Sequence, residues 1–443
     1  MKIAIIGGGI SGLSAAYYLT KNAAPKAHNI TVYEKEKRPG GTIGTIKEDG
    51  FTAETGPNGY LDSKPYITEL AAALNIQGSL LKADAASAAR YIFDGKKLHK
   101  LPENPGAFIK SGLISIAGKL RIIAEPLVVP KKSSEDESVA SFTRRRLGRE
   151  ALDKLVTPMV SGIFAGDPEK LSLKSAFPRM FELEREYGSL FKAMAKLGRG
   201  GAPPGKLTSF DNGMGVIIEA LSKNLGRNIK TGFSVDSVKR IGGSWSLSGS
   251  GFMSSHDAVV FAVPSYELAG MFEPARAAAG RIDYAPLSVV HLGFEQKDIE
   301  KKAAGFGFLT AGKVKNAALG AVFASIIFRN RAPEGKGLIT VMAGGDKNRE
   351  VYALTDADLL KAVLDGLKRA TGISAAPVFT KIIRHEKAIP IYRVGHEDIV
   401  AELLKIFSGF PGLYLGGNAF FGISASDMVK RSAAVAAEIN SIR

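Results

Sequence analysis

The stretch IAIIGGGISGLSAAYYL at residues 3–19 limits the possible folds more than any other part of the chain. Lys2 to Ile6 is a short apolar run that ends in glycine, which suits a buried parallel strand. Ser11 to Lys21 then carries Leu13, Ala16, Tyr17 and Leu19 at helical spacing, and Ile30 to Glu34 reads as a second strand. Strand, tight turn, helix and strand make a βαβ unit. Gly7-x-Gly9-x-x-Gly12 lies at its turn. The first glycine allows the turn, the second lets the backbone approach a pyrophosphate, and the third permits close helix–strand packing. The helix N-terminus offers free N–H groups and a partial positive charge. Glu34 closes the second strand, where a carboxylate can accept from both ribose hydroxyls and repels a 2′-phosphate.

Downstream, Tyr66 to Leu74 reads as a helix and ARYIFDGKKLHKLP as a hairpin turning at Asp94-Gly95. Residues 105–200 read as mainly helical, including the amphipathic stretch GAFIKSGLISIAGKLRIIAEPLVVP at 106–130, and KKSSEDES at 131–138 reads as a polar loop. Val216 to Leu225 has helical periodicity, and Ala258 to Val263 is a buried run after serine- and glycine-rich turns. LSVVHLGFE, ALGAVFASIIF and GLITVMAGG read as strands, and Thr355 to Ala370 as a helix. Ile406 to Ser426 carries no charge and is long enough to suggest a membrane span. Its glycines and Pro411 argue instead for strand Leu413–Leu415, a glycine loop and a helix over 424–442. Ser424-x-x-Asp427 predicts a capping box at that helix start.

Composition removes several chemistries. With no cysteine there are no disulfides, thiolate metal sites or cysteine nucleophiles. The six histidines have no metal-ligand spacing, so no metal is expected. A net charge of +16 favours anionic partners, but no nucleic-acid module is present. The start of the chain lacks a secretory apolar region, so the expected compartment is the cytoplasm.

Glu34 is followed by Arg38, Gly40, Gly41 and Thr42. The pattern E-x-x-x-R-x-G-G resembles the glutathione-reductase-type FAD proteins, in their amine oxidase branch. The resemblance implies that Gly56, Pro57 and Asn58 pass the flavin ring, with Gly56 sparing it a clash. It also implies that Val235 lies beneath the adenine and that Arg38 faces the phosphates or braces its loop. VTPMVSGIFAGDPEKLSLKSAFPRM at 156–180 resembles the protoporphyrinogen and coproporphyrinogen oxidases within that branch. So do PGGTIGT at 39–45, GPNGYL at 56–61, RYIFDGKKLHKLP at 90–102 and LYLGGNAFFGIS at 413–424, in the same order.

That resemblance spans essentially the whole chain and implies FAD-dependent oxidation of a porphyrinogen with O2 as acceptor. The substrate is protoporphyrinogen IX or coproporphyrinogen III. Arg90 is expected to pair with a propionate, with Gly162 and Asn58 beside the substrate, although Ser161 stands where some members have a basic residue. Gly417, Gly422, Ile423 and Ser424 are expected at the flavin, with the helix N-terminus stabilising its anionic end. The residues offer no obvious base, and a hydride transfer guided by geometry needs none. The implied fold is α/β. A discontinuous, Rossmann-like FAD domain takes residues 1–65, 205–265 and 395–443. A mixed-sheet substrate domain takes 66–90 and 266–394, and a helical insertion takes 91–204. Lys110, Lys119 and Arg121 in the insertion suit peripheral contact with an acidic membrane on the cytoplasmic face. Monomer and homodimer both stay open. The alternatives are an amine oxidase or desaturase of the same branch, or a non-catalytic FAD-fold binding protein.

Overall fold

A computed structural model describes residues 1–21, 28–131, 133–197, 205–249 and 251–441. The predicted residues 198–200, Lys132 and Ile442 lie outside the described residues.

A five-stranded sheet draws on three distant parts of the chain. Its order is Ile229–Thr231, Asn29–Glu34, Lys2–Ile6, Ala258–Phe261 and Leu413–Leu415. Every neighbouring pair is parallel, with Ile6 opposite both Tyr33 and Phe261. Parallel strands covered on both faces must be apolar throughout. Ile3 and Ile5 pack with Leu13, Ile217 and Val429, from helices Ile10–Lys21, Gly215–Leu225 and Ala425–Asn440. Ala4 and Ile6 face the other way, toward Trp245, Leu268 and Leu403. Each fully buried isoleucine or leucine contributes about 1.5–3 kcal/mol. These few alternating residues therefore fix both the register and the layers.

A seven-stranded mixed sheet stands beside it. Its order is Phe379–Pro390, Tyr284–Glu295, Lys336–Gly344, Ala318–Val322, Gly307–Thr310, Arg90–Phe93 and Leu98–Lys100. Period-two alternation divides its faces. Val290, Leu292, Ile339 and Val341 pack under helix Asp356–Thr371, while Leu287, Val289 and Met342 line a cavity. The predicted strand ALGAVFASIIF stops at Val322, and Ala324–Ile327 form a helical turn.

Residues 105–197 are mostly helical. The amphipathic stretch predicted at 106–130 divides at Ser111–Ser115 into helices Pro105–Lys110 and Ile116–Ile123. Arg146 holds this region together: it is wholly buried and pairs with Glu125 and Glu184. Arg121 departs from its predicted membrane-facing role. Its guanidinium donates to the Arg145 and Arg146 carbonyls, which satisfies the end of helix Val139–Arg146. Lys119 likewise donates to the Ile109 carbonyl at 2.6 Å.

Candidate functional site

The last strand and helix bring the two glycine clusters together. Helix Ala425–Asn440 packs along helix Ile10–Lys21, and the Ser432 hydroxyl donates to the Ser11 carbonyl at 2.7 Å. Both helices begin at one cavity of about 1350 Å³. Gly7, Gly9, Ile10 and Ser11 line it from the first turn and helix, and Gly417, Ile423, Ser424 and Ser426 from the second loop and helix.

The first cluster meets its expected geometry. Gly7 has φ of +103°, in the left-handed region that favours glycine. A Cβ on Gly12 would lie 1.9 Å from the Gly7 carbonyl oxygen, so only glycine lets helix and turn approach this closely. A Cβ on Gly9 would meet nothing within 4 Å, which leaves open space against the backbone. Glu34 is fixed by its own surroundings: its carboxylate accepts from Gly8 N at 2.6 Å and Glu36 N at 2.8 Å. Each oxygen keeps a further lone pair for a ligand. Val235 lines the same end. These residues fit a dinucleotide: a bare helix end for pyrophosphate, a fixed acceptor for ribose and a clear approach at Gly9.

Arg38 braces its own loop, donating to the Ile43 carbonyl at 3.3 Å, and also lines the cavity. Gly41, with φ of +58°, Thr42, Gly56, Pro57 and Asn58 line the middle. The reason for Gly56 differs from the expected one. A Cβ there would meet the Thr42 carbonyl oxygen at 2.3 Å, so the missing side chain makes room for the neighbouring backbone. Gly162 is similar. It lines the cavity, but its Cβ would point at Leu309, 2.9 Å away.

Three expected residues lie off the cavity: Gly12, which serves the helix–turn packing, Gly422 and Arg90. Gly422, with φ of +96°, turns the chain ahead of Ile423, and its N–H donates to the Tyr392 hydroxyl at 3.1 Å. Arg90 is exposed, and its guanidinium rests 5.2 Å from the ring centre of Phe306, which does line the cavity. Ser424 caps the second helix by accepting from Asp427 N at 3.1 Å. The reciprocal half of the predicted capping box is replaced: the Asp427 carboxylate accepts the Ser424 hydroxyl at 2.5 Å and the Lys64 ammonium at 2.6 Å.

Sequence reasoning missed Tyr392, Lys64 and His385. Tyr392 donates to the Asn418 carbonyl at 2.5 Å and so ties the C-terminal glycine loop to the end of the large sheet. His291 and His385 project from neighbouring strands of that sheet and bond the consecutive carbonyls of Glu54 and Thr55, at 3.0 and 2.7 Å. Burial pushes the His291 imidazole down to about 4, so it is neutral near pH 7. Leu287, Val289, Met342, Val322, Phe306 and Ile163 give the same cavity an apolar lining. Among the described residues no cluster of acidic or histidine side chains could hold a metal, and no helix is long and apolar enough to cross a membrane.

Residues 10–440 match the family model for flavin-containing amine oxidoreductases. The chain is 29% identical to the coproporphyrinogen III oxidase of Bacillus subtilis, over 98% of this chain and 97% of the relative. It is 31% identical to the chloroplastic protoporphyrinogen oxidase 1 of Arabidopsis thaliana, over 98% of this chain and 87% of the relative. A solved structure from Exiguobacterium sp. 255-15 superposes with a TM-score of 0.88 at 26% identity, covering 100% of this chain and 99% of the other.

Proposed function

The chain belongs to the flavin-containing amine oxidoreductases, and on that premise we propose that it is an FAD-dependent enzyme oxidising a porphyrinogen to a porphyrin. The substrate is coproporphyrinogen III or protoporphyrinogen IX, the two activities borne by its named relatives. One observation carries the reading: a single cavity of about 1350 Å³ is lined both by the starts of two helices and by the apolar side chains of Leu287, Val289, Met342 and Phe306.

FAD, when bound, supplies the two-electron acceptor that O2 regenerates with release of hydrogen peroxide. Gly7, Gly9 and the N-terminus of helix Ile10–Lys21 would hold its pyrophosphate, Glu34 its ribose and Val235 its adenine. Gly41, Thr42, Gly56, Pro57, Asn58, Gly417, Ile423 and Ser424 would line its flavin end. Leu287, Val289, Met342 and Phe306 would exclude water and hold the macrocycle by apolar contact. Arg90, exposed beside Phe306, would pair a propionate at the cavity rim. The five-stranded parallel sheet with its flanking helices would serve as the FAD domain, from residues 1–65, 205–265 and 395–443.

A second surface bears on where the enzyme works. Ile116, Leu120, Leu127 and Val129 are 78%, 62%, 84% and 77% exposed on the helical region. With the exposed Lys110 beside them they would rest on an acidic membrane. Cosedimentation with anionic vesicles at physiological salt is expected, and its absence would remove this element.

The test of the main reading is direct. Purified protein should be yellow and show a flavin spectrum. It should convert at least one of the two porphyrinogens aerobically, followed by porphyrin fluorescence. Yellow protein inert to both would favour an amine oxidase or desaturase, and colourless protein a binding role.

A further inference from the structure

Of the six histidines, His385 is the one that lines the cavity. The alternation of strand Phe379–Pro390 turns His385, Lys387 and Ile389 to this face. Thr55 offers His385 a carbonyl oxygen, which can only accept. The hydrogen therefore sits on Nε2, and Nδ1 keeps its lone pair. Nδ1 makes no hydrogen bond among the described residues and is not sealed in protein. His385 lines the cavity, so Nδ1 is the ring nitrogen left for a group bound there. His291, on the neighbouring strand, makes the contrast. Both its nitrogens are engaged, by the Thr340 hydroxyl at 2.9 Å and the Glu54 carbonyl at 3.0 Å, and it is 1% exposed. One histidine fastens the sheet to the segment before Gly56. The other makes the same fastening and leaves a basic nitrogen over.

The proposed reaction creates a demand for such a nitrogen. Oxidising a porphyrinogen to a porphyrin removes six hydrogens, four from bridging C–H bonds and two from pyrrole N–H bonds, as three hydrides and three protons. Bound FAD would accept the hydrides. Each two-electron step therefore also releases one proton, on balance from a pyrrole nitrogen twice and from a bridging carbon once, with its electron pair staying in the macrocycle. We propose that His385 Nδ1 takes that proton, once per two-electron step, and passes it to solvent before the next. This rests on the porphyrinogen reading given above. Few charges compete with His385. Arg384 turns to Asp356 and the Leu354 carbonyl. The Glu54 carboxylate is held by Thr45, Met214 N and Arg331. Lys64 is paired with Asp427, while Glu386 and Lys387 are exposed neighbours on the same strand. Leu287, directly opposite in the sheet, carries no charge.

The test uses the FAD-loaded protein and the variants His385→Gln and His385→Asn, whose amides can still donate to the Thr55 carbonyl but cannot hold a proton. Wild-type flavin reduction by porphyrinogen, followed anaerobically, should slow as acid protonates the imidazole. In the variants it should be about 100-fold slower at neutral pH and lose that acid limb, while porphyrin binding, read by fluorescence quenching, stays within twofold. Independently of turnover, 15N-histidine NMR of the wild-type holoprotein should show His385 as the Nε2–H tautomer. Wild-type rates with an intact acid limb in His385→Gln, or an Nδ1–H tautomer, would overturn the assignment. Wild-type holoprotein inert to both porphyrinogens would overturn the parent reading, and this one with it. Should neither variant fold, the tautomer decides.

Discussion

The two helices that start at the cavity pack side by side, yet their N-termini differ. Helix Ile10–Lys21 opens bare: no acidic residue lies in its first turn, and Gly9 leaves open space beside it. Helix Ala425–Asn440 opens occupied. Ser424 takes one of its free N–H groups, and Asp427 puts a carboxylate in its first turn, balanced by Lys64. A bare terminus attracts an anion through unsatisfied donors and the helix dipole, worth about 0.3–1 kcal/mol per charge. A terminus that already carries its own anion has little of that attraction left. On this reading the first end would grip pyrophosphate. The second would place Ile423 and Ser424 beside the flavin by shape more than by charge.

That contrast can be broken by substitution. Gly12→Ala should have the largest effect, because its methyl would lie 1.9 Å from the Gly7 carbonyl. The protein should lose its flavin and unfold at a markedly lower temperature, by calorimetry. Gly9→Ala should separate cofactor from fold, since no protein atom lies within 4 Å of the new carbon. Its thermal stability without cofactor should match the parent, while FAD affinity falls at least about tenfold, or about 1.4 kcal/mol. Ser424→Ala should do least: about 1 kcal/mol of stability for a lost cap, with FAD affinity within about threefold. A large affinity loss at Ser424, or none at Gly9, would reverse the roles assigned to the two ends.

The same contrast explains what could be read from the chain alone. The first end is built from local sequence: strand, turn, helix and acidic residue fall within residues 2–34. Backbone geometry there demands particular residue types, so the residues disclose the job. Elsewhere the site depends on contacts between residues 26 to 330 positions apart. His385 reaches Thr55, and Tyr392 reaches Asn418 and Gly422, only because strand order brings them there. A lone histidine in RHEKAIP carries no trace of that. Glycines mislead in a related way. Gly56 and Gly162 sit beside the cavity, as their motifs imply, but each makes room for a protein atom, the Thr42 carbonyl and the Leu309 side chain. The apolar pattern at 106–130 likewise signals helix correctly but cannot show that Arg121 folds back to end another helix.

The most direct measurement is an anaerobic one. FAD-loaded protein is mixed in a stopped-flow cell with coproporphyrinogen III or protoporphyrinogen IX, and the visible flavin absorbance is followed. If one cavity holds FAD at its glycine-built end and the macrocycle against its apolar lining, the flavin band should bleach with at least one of the two. Admitting O2 should then restore the band as porphyrin fluorescence appears. A flavin band that both porphyrinogens leave unchanged would contradict the account.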